Sequence, residues 1–417
     1  MQRVCVQWPR FGPYHLARLR AAHRLFQKQG VEIVGLETAG DDSTYAWEIE
    51  RASEPFLREQ VFPNRVFETI PADEMEAGVT AALDRLDPDA VAIVSYSFPD
   101  ARACLAWCRR HGRTAVLMAS TREEDAVRVP WREWIKARII SQYDAALVAG
   151  TPQRRYLAKL GFPPGKIFQP CTVVDNAFFY DGAERARSDP SAHRHLPGLD
   201  DDTPFFLASN RLLPRKNIDR LLLAYEQYRE QAARPWRLLL LGDGPERPRL
   251  EALIRDRRIE GVVWCGFRQI DELPVYYGLA GAFVHPCLMD QWGLVINEAM
   301  AAGLPVVVSR AAGCTSDLVQ EGTNGYTFDP EDVDTLAQRL IDVASPHTDR
   351  ETMGARSREI VAAWAPEHFS KGLWNAVQAG RGTAERGLSP VARSLLWALR
   401  RTAGTPEAFH SVDTAPA

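Results

Sequence analysis

Several common signatures are missing from this sequence, and each absence narrows what the chain does. No run is long and apolar enough to span a bilayer. Met1-Gln2-Arg3-Val4-Cys5-Val6-Gln7-Trp8-Pro9 enters a strand at once, with no apolar secretion signal, so a cytosolic protein is expected. Cysteine is sparse, at seven in 417 residues. Cys5, Cys104, Cys108, Cys171, Cys265, Cys287 and Cys314 sit mostly in apolar runs, which suits small core side chains in a reducing compartment. Cys104 and Cys108 lie four apart with His111 nearby, but no second ligand cluster accompanies them and no metal is expected there. An excess of one charge is also lacking. Lys and Arg number 50 against 54 Asp and Glu, a net charge of −4 that removes any whole-molecule reason to expect nucleic-acid binding. No solenoid-type repeat is present. The turn Pro9-Arg10-Phe11-Gly12-Pro13-Tyr14-His15 lacks the Gly-x-Gly-x-x-Gly of a dinucleotide-binding domain.

What remains is a globular composition, 46% hydrophobic and 25% charged, in a chain long enough for two domains of similar size. Short apolar runs alternate with helical patterns in the rhythm of a parallel sheet with crossover helices. They are Val4 to Trp8, Glu32 to Leu36, Val66 to Ile70, Ala90 to Ser95, Thr114 to Ala119, Ala145 to Val148 and Ile167 to Cys171. This gives a Rossmann-like first domain over 1–180. Residues 181–203 turn charged and rich in Pro, Ser and Gly, as a linker does. A second Rossmann-like domain is expected over 204–365, opening with Phe205-Phe206-Leu207-Ala208-Ser209. A helix at 366–382 follows, then a tail at 383–417 that is polar and partly disordered apart from Leu395-Leu396-Trp397-Ala398-Leu399. Asp200-Asp201-Asp202 in the linker and Asp87-Pro88-Asp89 ahead of a strand read as solvated acids, not as a metal site.

The most site-like stretch is Asp290-Gln291-Trp292-Gly293-Leu294-Val295-Ile296-Asn297-Glu298, between the strands Ala282-Phe283-Val284-His285 and Val306-Val307-Val308-Ser309. Strand, loop, helix, strand is one unit of an open parallel sheet, in which ligands bind beyond the carboxyl ends of the strands. A helix is expected from Gly293 to Gly303, burying Leu294, Val295 and Met300. Two readings stand side by side. In one, Asp290 and Glu298 face a ligand with hydroxyls and phosphate, and the amides of Gln291, Trp292 and Gly293 attract the anion. In the other, Asp290 caps a helix and Glu298 is solvated.

Further candidates lie at other strand ends. Arg211 and Lys216 follow the strand at 205–209, where they either neutralise a pyrophosphate or sit in solvent. Gly242 and Gly244 make a tight strand-to-helix turn that backbone geometry alone explains. Ser120-Thr121-Arg122-Glu123-Glu124-Asp125 is either an acceptor-side cluster or a solvated loop capping the next helix. In that helix, Trp131 to Ile140, aromatics and cations suit either a membrane surface or ordinary packing on the sheet.

An acid, seven residues, then Glu298-Ala299-Met300-Ala301-Ala302-Gly303-Leu304-Pro305-Val306 resembles the donor-site signature of the retaining family 4 glycosyltransferases. The resemblance is specific over about 205–330 and architectural before that. It implies the GT-B fold, α/β, with two Rossmann-like parallel-sheet domains facing a central cleft. It also implies transfer of a hexose from a nucleoside diphosphate sugar to a hydroxyl on a glycan, a glycolipid or a small acceptor, with neither metal nor cofactor. The protein is then cytoplasmic, with peripheral contact at the inner face of the membrane a further expectation.

Carried over residue by residue, Arg211 and Lys216 bind the diphosphate, Asp290 the sugar hydroxyls and Glu298 the ribose. Phe267 and Arg268 lie where relatives hold the base or ribose. Gly12, Gly242, Gly244 and Gly313 let the donor approach, with structural turns the alternative, and Leu294 adjoins the donor turn. His15 meets donor or acceptor, or is a structural residue at a helix start, and Arg122 and Glu123 are the acceptor-side candidates. The family's first acid is usually Glu, so Asp290, one methylene shorter, is a departure that bears on donor choice. No counterpart of the family's cleft histidine aligns. Rival readings of the same fold are a nucleotide-sugar epimerase, a phosphorylase, for which no pyridoxal phosphate lysine is announced, and a binding protein that has lost catalysis.

Overall fold

The computed structural model describes residues 1–43, 47, 53–189, 191–192, 196–199, 203–382 and 387–402. They divide into two compact units, Met1–Val173 with Pro366–Ala417, and Val174–Ala365.

The first unit is built on seven strands, β1 (Arg3–Trp8), β2 (Glu32–Asp41), β3 (Leu57–Val66), β4 (Ala90–Val94), β5 (Thr114–Ala119), β6 (Ala145–Val148) and β7 (Ile167–Phe168). They form one parallel sheet in the order β3-β2-β1-β4-β5-β6-β7. Helices cover both faces, so the inner strands are apolar almost throughout. The edge behaves differently. A strand was expected at Val66 to Ile70, but the strand is Leu57–Val66, and Phe67–Thr69 is a 3-10 turn. Phe67 and Ile70 are apolar because they pack with Ala39 and Met75, whereas the edge strand is half exposed and carries Arg58, Glu59, Gln60 and Pro63.

The helix Pro366–Gly380 belongs to this first unit and packs on the helix Pro13–Gln27, with the Trp374 and Phe26 rings edge to face at 5.0 Å. Gly372 lets it approach β6 closely, since a Cβ there would lie 2.8 Å from Leu147 Cδ1. The tail differs from expectation. Pro390–Thr402 is a helix whose Leu396 joins Ile139, Ile140 and Tyr143 in the core. Residues 403–417, expected to be disordered, lie outside the described residues, as does Asp200-Asp201-Asp202.

The second unit holds β8 (Phe205–Ser209), β9 (Arg237–Leu241), β10 (Val262–Gly266), β11 (Ala282–His285), β12 (Val306–Ser309) and β13 (Gly325–Phe328), parallel in the order β10-β9-β8-β11-β12-β13. The strand order reverses at β8 and β11, so the crevice beyond their carboxyl ends is where such a sheet takes a ligand.

The boundary between units falls at Val173, not at residue 180, and the expected linker begins as helix. Asn176–Ser188 is capped by Asp175, whose carboxylate accepts from Phe178 N at 3.1 Å. Phe179, Ala183 and Ala186 form its buried stripe, and Gly182 sits where a Cβ would meet Pro274 at 2.4 Å. Small residues carry this contact, so the segment reads as charged and aperiodic.

All seven cysteines are buried free thiols. Among the described residues no group of three His, Cys, Asp or Glu could hold a metal ion, and no helix is long and apolar enough to cross a membrane.

Candidate functional site

Four loops of the second unit are stitched together at the carboxyl ends of β8, β11, β12 and β13. Asn217, at φ +59°, donates both amide protons, to Pro286 O at 2.9 Å and Pro330 O at 2.8 Å. An asparagine tolerates this left-handed backbone better than most residues. Leu288 N donates to Arg215 O at 2.8 Å, and Gly313 N donates to Asp290 O at 2.9 Å. The Gly313 amide thus holds the loop that carries Asp290.

This stitching brings Lys216 and Asp290 together across 74 residues of sequence, with Nζ 2.6 Å from Oδ2. His285, at the end of β11 and fully buried, places Nε2 3.1 Å from the same oxygen. Burial alone would raise the Asp290 carboxyl, but the Lys216 ammonium and the His285 contact overcome it and hold Asp290 well below the usual carboxylate range. Burial pushes His285 down, against its hydrogen bond to Asp290, so the ring is neutral. The cluster therefore pairs one ammonium with one carboxylate.

Gly293 stands just before the helix Leu294–Ala301 at φ +99°, where a side chain would be strained. Its Cβ would lie 2.9 Å from Ile296 Cδ1 and 3.8 Å from Asp290 Oδ2. Trp292 is buried, donates to Asn297 Oδ1 at 2.9 Å and stacks on Trp364, which makes its ring structural. Leu294 and Val295 are only half-buried, unlike the expectation, whereas Met300 is buried as expected and every residue from Ile296 to Ala301 is enclosed. Glu298 is 1% exposed and accepts from the Tyr277 hydroxyl at 2.6 Å, so it is not a solvated helix residue. Gln291 is exposed.

Arg211 is half-buried in the loop after β8. Gly242 and Gly244 pack against that loop, and a Cβ on Gly242 would fall 1.9 Å from Asn210 O and one on Gly244 2.6 Å from Leu212 O. Crowding against the Arg211 loop thus accounts for both glycines. Beyond β10, Phe267 is exposed, while Arg268 pairs with Glu272 at 3.0 Å and lies over the Tyr276 ring.

In the first unit, Gly12 N donates to His15 Nδ1 at 2.9 Å, and the His15 ring packs on Trp8. Burial, helped by Arg18, lowers His15 to about 3, so it is a neutral cap at the helix start. Arg122 is buried and paired with Asp125 at 2.9 Å, and Glu123 pairs with Lys159, so that loop is pinned by ion pairs and is not freely solvated. His285, Tyr277 and Asn217 were not singled out in the sequence. The one available signal was a polar residue closing an otherwise apolar strand.

The two sheets define the class. The fold is that of the GT-B glycosyltransferases, and a glycosyltransferase from Rickettsia africae ESF-5 matches with a TM-score of 0.70 over 91% of this chain and 99% of that one, at 13% identity. Residues 191–360 match the family described as glycosyl transferases group 1. A GDP-mannose-dependent alpha-(1-6)-phosphatidylinositol monomannoside mannosyltransferase of Mycobacterium tuberculosis is 30% identical over 190 residues, 43% of this chain and 49% of that one. Sulfoquinovosyl transferase SQD2 of Arabidopsis thaliana is 38% identical over 143 residues, 34% of this chain and 26% of that one. The chain thus spans about half the length, or less, of these curated relatives.

Proposed function

We propose that the chain is a retaining glycosyltransferase of the family 4 type, which moves a hexose from a nucleoside diphosphate sugar to a hydroxyl of a glycan or glycolipid without a metal. The observation that carries this reading is the Lys216–Asp290 pair, with the enclosed Glu298 on the helix that follows, at the reversal of strand order in the region that matches the group 1 family. Lys216 and Arg211 stabilise the departing diphosphate as cations, work a divalent metal would otherwise do. Asp290, ionised, takes donor-sugar hydroxyls, Glu298 holds the ribose, and amides at the start of the helix Leu294–Ala301 face the phosphates. Phe267 and the strand end before it flank the base. The leaving phosphate accepts the acceptor's proton on the same face of the sugar, so no protein base is required.

The GDP-mannose-dependent mannosyltransferase of phosphatidylinositol monomannoside named above supports a nucleotide-sugar donor and a lipid-linked acceptor. A cytoplasmic protein meeting a membrane surface is consistent with the helix Pro130–Ile140, where Trp131 and Trp134 are 59% and 49% exposed and arginines lie over their rings.

Thermal stabilisation of the pure protein by UDP, GDP, ADP and their hexose conjugates, in EDTA, tests the donor assignment. The expected result is a shift with one base that Lys216→Ala abolishes, followed by transfer that keeps the donor's anomeric configuration. Inverted product, or no shift with any of these nucleotides, would overturn the proposal.

A further inference from the structure

His285 is a buried titratable group at the heart of the cluster for which the proposed chemistry has no task. Its backbone is fixed in the sheet, paired with Val308 of β12, whereas Lys216 extends on a long side chain from a 3-10 turn. Both nitrogens converge on one oxygen of Asp290, Lys216 Nζ at 2.6 Å and His285 Nε2 at 3.1 Å, and no described residue donates to the other oxygen. A neutral imidazole carries one proton. Placed on Nδ1, it would leave the Nε2 lone pair facing a carboxylate at 3.1 Å, so it sits on Nε2 and is donated to Asp290. Nδ1 is buried and has no partner among the described residues, so the ring is held there by packing and by this one bond.

We infer that His285 is a positioning residue: it keeps Oδ2 of Asp290 fixed when Lys216 turns to the diphosphate, so that Oδ1 stays aimed at the donor sugar. The inference rests on the roles given above to Asp290 and Lys216. It also accounts for the short acid, because a carboxylate with one methylene fewer, gripped by a rigid ring, holds its aim without the reach of Glu.

The test is the ratio of dissociation constants of conjugate to diphosphate, GDP-mannose over GDP and UDP-glucose over UDP, by titration calorimetry. His285→Ala is expected to leave the diphosphate constant within about twofold and to raise the ratio about tenfold, the size of one lost hydrogen bond to a charged group. His285→Gln, whose amide donates from a similar place, is expected to restore most of the ratio. In an Asp290→Ala background His285→Ala is expected to change it no further, because the ring acts only through that carboxylate. Equal losses for diphosphate and conjugate, an unchanged ratio in His285→Ala, or no recovery in His285→Gln would overturn the inference while leaving the donor site in place. Wild-type protein that binds neither diphosphates nor conjugates would overturn the donor-site reading itself, and this inference with it.

Discussion

Removing Lys216 should do more than weaken the second unit; it should also flatten how that part of the fold responds to pH. The Lys216 and Asp290 side chains are 12% and 16% exposed and 2.6 Å apart. At an effective dielectric of about 20 their attraction is on the order of 5 kcal/mol. Desolvation offsets part of that, so Lys216→Met should cost about 2–4 kcal/mol, mainly because it leaves Asp290 enclosed without its ammonium.

The pH response follows from what Lys216 does to its neighbours. In the wild type His285 is lowered below its unfolded value, so its contribution to stability is lost as pH falls through the unfolded pKa. Without Lys216 one of the causes that lower His285 is gone, while burial and the Asp290 contact remain, so the ring is lowered less. A histidine that is lowered less gives up less stability as pH falls through its unfolded pKa. Between about pH 5 and 7 the variant should therefore lose less stability on acidification than wild type. Urea unfolding of Lys216→Met, Asp290→Asn and the double variant, followed through the Trp292–Trp364 pair, reads both effects. The coupling energy should be about 2 kcal/mol. Additivity within about 0.5 kcal/mol, or a pH slope identical to wild type, would refute the reasoning.

Two further outcomes follow from the geometry. Asp100 is fully buried, accepts from Gln7 at 2.7 Å and Thr38 at 2.8 Å, and is raised by burial from 3.8 to about 6. A raised acid stabilises when protonated, so this group should take about 3 kcal/mol from the first unit as pH climbs from about 4 to 6. Asp100→Asn, with the Thr38 hydroxyl free to turn and accept, should remove that slope in pH-dependent urea titrations; a slope it leaves intact would rule the assignment out. Gly242→Ala should prevent the second unit from folding, since its Cβ would lie 1.9 Å from Asn210 O at φ +108°, whereas Gly322→Ala, at φ +71° with nothing within 4 Å, should cost only about 1–2 kcal/mol. Comparable thermal midpoints for the two variants would contradict this.

Much of the fold was legible because burial on both faces writes a strand as an apolar run: the runs Val4 to Trp8, Ala90 to Ser95, Thr114 to Ala119 and Phe205 to Ser209 each fall on one, to within a residue at either end. The edge strand Leu57–Val66 was not legible, because half its surface faces solvent and nothing selects for apolar residues there. The helix Asn176–Ser188 was hidden by its use of Ala and Gly, instead of large apolar residues, at the contact. Within the site, spacing along one loop and one helix picked out Asp290 and Glu298 as a pair. Their partners are not encoded by spacing: Lys216 is 74 residues from Asp290 and Tyr277 is 21 from Glu298, and only the folded sheet brings them together.

The assignment of Pro366–Gly380 to the first unit has a consequence for the order in which the protein is made. The second unit is continuous in sequence and is complete once Ala365 has left the ribosome, while the first still lacks a helix that fills space against Leu147 and Phe26. Its sheet must therefore wait, with the strands around β6 uncovered by that helix, through the synthesis of an entire domain. Ending translation at Ala365 would release a finished second unit joined to an unfinished first one, so the half that begins first is the half completed last.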